Sequence, residues 1–101
     1  MPYKDAPTLY VDVDGTLLKW PSGQAGSGQP AINEAAVSYI RQWKLRPKSL
    51  VYIWSFGGQE HAENAAEFCC IKHLIDGYIG KPTEILDDDP NIKARINHRM
   101  P

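Results

Sequence analysis

The sequence predicts an α/β fold, a three-layer α/β/α arrangement around a small, mostly parallel sheet, and three observations lead there. Apolar runs rich in β-branched and aromatic residues occupy 8–13 and 49–55 and read as buried strands. A stretch with helical spacing of apolar residues follows each of them. Charged and hydroxyl side chains gather where the strands end, on the carboxyl edge at which parallel sheets bind ligands.

The elements follow in order. Residues 8–13, TLYVDV, end just before an Asp-Gly turn signal and form the first strand. Residues 17–29 contain PSGQAGSGQ and read as a flexible flap loop. Pro30 suits the first turn of a helix, and Ile32, Ala36, Tyr39, Ile40 and Trp43 mark one apolar face of a helix over 31–44. SLVYIWS at 49–55 is the second strand. FGG then turns the chain into a helix over 59–73 with Ala62, Ala65, Ala66 and Cys69 inward. GYIGK at 77–81 is a third strand and EILDD at 84–88 a fourth; 91–101 is a short polar helix or tail. Alternating strands and helices imply right-handed crossovers and a Rossmann-like parallel sheet.

A chain of 101 residues is expected to form one domain, 1–101. Its 43% hydrophobic and 23% charged residues are ordinary for a globular protein. A net charge of −1 offers no global attraction to nucleic acid or an anionic membrane. The start, MPYKDAPTLY, lacks the pattern of a secretory leader, and no apolar run is long enough to cross a bilayer. The two cysteines, Cys69 and Cys70, are neighbours, which is neither a disulfide framework nor a CxxC motif. A reducing, cytoplasmic setting is expected, with no membrane partner.

The chemistry lies at the strand ends. Asp12 and Asp14 are two apart, so both can project to one side as the first strand finishes. Asp88 at the same edge would make three neighbouring carboxylates, whose repulsion would destabilise the fold or force protonation unless a cation is bound. Oxygen ligands select a hard metal, Mg²⁺ being usual beside phosphate. With Lys81, Ser55 and the backbone donors of Gly57–Gly58, the edge would suit a phosphoryl group.

DVDGT at 12–16 after apolar residues, a serine ending the second strand, GKP around Lys81 and ILDDD at 85–89 resemble, in order, the motifs of the haloacid dehalogenase-like superfamily of hydrolases. The resemblance covers about residues 8 to 90. It implies a phosphatase in which Asp12 is the nucleophile that becomes an aspartyl-phosphate and Asp14 the general acid and base. It implies that Ser55 hydrogen-bonds the phosphoryl group and that Lys81 offsets its charge. Mg²⁺ would be held by the Asp12 carboxylate, the Asp14 backbone carbonyl and Asp88, with Asp87 behind them. No cap domain fits between these motifs, so the resemblance is to a minimal, capless member. Its substrate would be a small phosphomonoester or a phosphorylated macromolecular end, and nucleic acid would enter only as substrate.

Plainer readings stand beside several of these residues. Ser55 could cap the next helix, Lys81 could be an ordinary turn lysine, and the 87–89 acids could serve a helix N-terminus. GQAGSG at 23–28 lacks the GK[ST] of a phosphate loop. His61, Cys69, Cys70 and His73 lack zinc-finger spacing, and small core cysteines explain them better. Arg41–Lys48, with Trp43, reads as a helix C-terminus rather than a nucleic-acid patch. Two other functions compete with hydrolysis. One is a catalytically idle phosphate- or metal-binding module; the other is a receiver-like phosphoacceptor, which would want an aspartate at the third strand end.

Overall fold

The computed structural model describes residues 6–88. Its main sheet has three parallel strands in the order β1 (Thr8–Asp12), β4 (Leu50–Ser55), β5 (Gly77–Gly80). Asp12 lies beside Trp54, and Ser55 beside Gly80. Two short strands, β2 (Leu18–Lys19) and β3 (Ala31–Ile32), form a separate antiparallel ribbon. Helix α1 (Glu34–Trp43) joins the ribbon to β4, and α2 (Gln59–Phe68) with a 3₁₀ turn at Lys72–Leu74 joins β4 to β5.

Alternation along the strands explains the core. Val11 and Val13 from the first segment, and Val51 and Ile53 from β4, point to one face and are buried with Ala36, Val37 and Ile40 of α1 and Ala62, Ala65 and Ala66 of α2. The strands advance in one direction across the sheet, so right-handed crossovers put both helices on that face. The described residues therefore form two layers, an α/β domain with one helical layer where three layers were expected. On the other face Tyr10 meets Tyr52 and Trp54 edge to face, with ring centroids 5.6 and 5.0 Å apart. The Tyr52 ring lies across Gly77, where a Cβ would come within 2.7 Å of it.

The local boundaries differ from the expected ones for identifiable reasons. The helix expected from residue 31 begins at Glu34, because Asn33 accepts the Ala35 N–H at 3.1 Å and caps it. That frees Ala31–Ile32 to pair with Leu18–Lys19, so the flap is the loop of a ribbon. The second helix stops at Phe68 instead of His73; Cys70 takes a positive φ of 58° just past its end. No strand forms over 84–88. Only Lys81, Pro82 and Thr83 separate it from β5, whereas a parallel neighbour needs a crossover of about a dozen residues. Ile85 and Leu86 are exposed instead. The expected polar helix or tail at 91–101 lies outside the described residues.

Trp43 and its basic neighbours serve the fold. The indole N–H donates to the Leu50 carbonyl at 3.1 Å, and the Arg46 guanidinium lies 4.2 Å from the ring centroid. Asp76 is a structural acid: its Oδ2 accepts the Val51 N–H at 2.8 Å and the Lys44 ammonium at 2.9 Å. Its own N–H donates to the Val51 carbonyl at 2.8 Å. Asp76→Ala would strand the Val51 N–H beside the core and is expected to cost about 1–3 kcal/mol. Denaturant unfolding measures this, and an unchanged midpoint would refute it.

Candidate active site

The site is built on the turn after β1. Val13 and Leu17 are fully buried, while Asp12 and Asp14 on either side of Val13 face outward. Burying two such apolar side chains stabilises the turn by about 1.5–3 kcal/mol each, which offsets the crowding of two acids. The backbone closes tightly: Leu18 N–H donates to the Val13 carbonyl at 2.9 Å and Gly15 N–H to the Leu18 carbonyl at 2.8 Å. Gly15 takes a φ of 89°, a conformation L side chains rarely adopt. Asn33 donates from Nδ2 to the Thr16 carbonyl at 2.9 Å, fastening the turn to the start of α1.

Both oxygens of Asp12 have donors. Lys81 Nζ is 2.8 Å from Oδ1, and Thr16 Oγ1 donates to Oδ2 at 3.1 Å. Lys81 directly follows β5, and its ammonium sits 5.5 Å from the Trp54 ring centroid and 5.2 Å from that of Phe56. Both oxygens of Asp14 are likewise held: Trp20 Nε1 donates to Oδ1 at 3.0 Å, and His61 Nε2 lies 3.0 Å from Oδ2. The two acids, although only two residues apart, thus have separate sets of partners.

Ser55 is buried at the end of β4. Its Oγ accepts the Gly57 N–H at 2.9 Å, and its carbonyl accepts the N–H groups of Gly58 at 3.1 Å and Lys81 at 2.9 Å. The N-cap of α2 is Gly58, so Ser55 organises the turn rather than capping that helix. Among the described residues no hydrogen bond joins its hydroxyl to Asp12, Asp14 or the Lys81 ammonium. Ser55 and Lys81 are nevertheless tied through the backbone.

The expected metal ligands are brought together only in part. The pairing of the turn with Leu18 uses the Val13 carbonyl and the Gly15 amide and leaves the Asp14 carbonyl out of it. Asp88, and Asp87 beside it, are exposed in the segment that forms no strand. Among the described residues no group of three or more Asp, Glu, His or Cys is placed to hold an ion. The residues present therefore supply part of the Mg²⁺ site of the resemblance: Asp12 and Asp14 share one turn, and among the described residues Asp88 does not complete a group of three with them.

Sequence reasoning missed three members of the site. Thr16 was legible, being the threonine of DVDGT. Trp20 and His61 carried no signal, since one lies beyond a ribbon strand and the other opens α2. By sequence His61 stands out only with Cys69, Cys70 and His73 as a zinc set, and no such cluster forms among the described residues. Burial pushes the Cys69 thiol up to about 11, with Glu34 and Cys70 adding to the effect. No family model, curated protein or solved structure matches this chain.

Proposed function

We propose that this protein is a phosphatase of the haloacid dehalogenase-like kind, hydrolysing a phosphomonoester through a covalent phosphate on Asp12. The observation that carries the reading is the 2.8 Å pair between Asp12 and Lys81, which are 69 residues apart in sequence. An oxygen nucleophile beside an ammonium, at the carboxyl edge of a parallel sheet, suits in-line attack on a phosphoryl group.

In that reaction an Asp12 carboxylate oxygen attacks phosphorus, and the bond to the leaving oxygen breaks with its electron pair. The leaving oxygen takes a proton from Asp14. Water then attacks the same phosphorus and gives a proton to Asp14; the bond to Asp12 breaks, releasing inorganic phosphate and the carboxylate. Lys81 moves its hydrogen bond from Asp12 to the phosphoryl oxygens, where the charge lies. The Ser55 hydroxyl, an acceptor from Gly57, keeps its own proton to donate. The substrate is a small phosphomonoester or a phosphorylated macromolecular end.

Mg²⁺ dependence is proposed alongside, as a separate proposition, and no step above runs through the ion. The incomplete donor set is what favours the second reading, a phosphate-binding module without turnover. A receiver-like role has less support, because β4 ends in Ser55 and β5 is followed by Lys81, with no aspartate at either end.

The test is release of phosphate from a small aryl phosphate and a panel of sugar, nucleotide and oligonucleotide phosphates, with Mg²⁺ and with chelator. Turnover is expected, and chelation is expected to stop it. Turnover that survives chelation would remove the ion and leave the phosphatase; no turnover on any substrate would leave the binding module.

A further inference from the structure

We infer that His61 is a positioning residue for proton transfer by Asp14. The inference rests on the proposed phosphatase reading and adds to it a residue from an element that reading does not use. His61 lies in the first turn of α2, 47 residues beyond Asp14, and its Nε2 is 3.0 Å from Oδ2. Trp20 Nε1 holds Oδ1 from the other side at 3.0 Å. An indole can only donate, so Oδ1 accepts from Trp20; Oδ2 and Nε2 share one proton, carried by Oδ2 when Asp14 serves as the acid and by Nε2 once Asp14 has given its proton up. A hydrogen bond at each oxygen fixes the plane of the carboxyl group.

The place of the imidazole is also built. A Cβ at Gly57 would come within 2.9 Å of the His61 ring, at Cγ and Cδ2, and within 3.1 Å of its Cβ. Only a glycine there lets the ring rest against the turn that Ser55 organises. The same turn that presents the Gly57 amide to Ser55 therefore seats the histidine facing Asp14. The His61 side chain is 40% exposed, so its removal leaves the core intact.

A general acid matters in proportion to how badly the leaving oxygen needs a proton. An alkyl alkoxide needs one; dinitrophenolate does not. Misplacing Asp14 should therefore slow alkyl ester cleavage by about 10- to 100-fold in kcat/KM, which reports the steps through leaving-group departure. Dinitrophenyl phosphate should change less than about threefold on the same scale. The experiment compares both esters for the wild type, His61→Ala and His61→Gln. Gln places an amide that can donate or accept near the position of Nε2 and is expected to restore most of the alkyl rate.

Equal losses on both esters, or no loss on either, would overturn the positioning role. If Asp12→Asn abolishes turnover while His61→Ala leaves both esters at wild-type rates, the role fails and the phosphatase stands. If the wild type turns over neither ester, the phosphatase reading fails and this role with it.

Discussion

Asp12→Asn is expected to lower phosphomonoester turnover by about 10⁴-fold or more, with the fold retained. The amide oxygen is a poor nucleophile, and among the described residues no other carboxylate shares the hydrogen bonds of Thr16 and Lys81. The substitution keeps an oxygen that can accept from Thr16, so the turn stays closed. The Lys81 pair it breaks is partly exposed at both ends, and pairs of that kind contribute about 0–1 kcal/mol. The unfolding midpoint should therefore move little while the rate collapses. Kinetics on one aryl phosphate together with a thermal melt check both halves. Equal rates for the two proteins would take Asp12 out of its role.

Asp14→Asn is expected to cost about 10²–10⁴-fold in kcat. The mechanism differs from that of Asp12→Asn, and the difference is measurable. The new amide retains one oxygen for Trp20 or His61 but has no acidic proton to transfer to the leaving oxygen and no basic oxygen to activate water. With dinitrophenyl phosphate the first step needs no acid, so the covalent phosphate on Asp12 should form and then persist. Rapid mixing should show a burst of dinitrophenolate near one equivalent per protein, followed by slow release. A uniform slowing with no burst would place Asp14 outside the hydrolytic step.

The legible parts of this molecule are those fixed by local periodicity and by strand-end chemistry. β1 and β4 stand where runs rich in β-branched and aromatic residues put them, and both helices lie within the predicted stretches. Asp12, Asp14 and Lys81 come to one edge because parallel strands deliver their ends there. What local pattern could not show was pairing. Ala31–Ile32 reads as helix by spacing, yet the Asn33 cap and the partner strand Leu18–Lys19 take it away. EILDD reads as strand by composition, yet three residues after β5 cannot make a parallel crossover. The single helical layer depends on the order of the strands, which sequence alone does not state. The place of His61 beside Asp14 escaped notice because a histidine in the first turn of a helix has no periodic signature; its meaning comes from what lies opposite.

The protein has three tryptophans, and their placement has an optical consequence. Trp20 donates to Asp14, and Trp54 lies 5.5 Å from the Lys81 ammonium, whereas Trp43 is fastened to Leu50 by its indole N–H. Indole emission shifts with nearby charge, so two of the three native fluorophores report on the electrostatics around the paired aspartates while the third supplies a steady reference. A change in charge at that edge, such as the proposed phosphate binding would bring, is then expected to shift the emission of the unlabelled chain, with Trp20→Phe and Trp54→Phe separating the two signals.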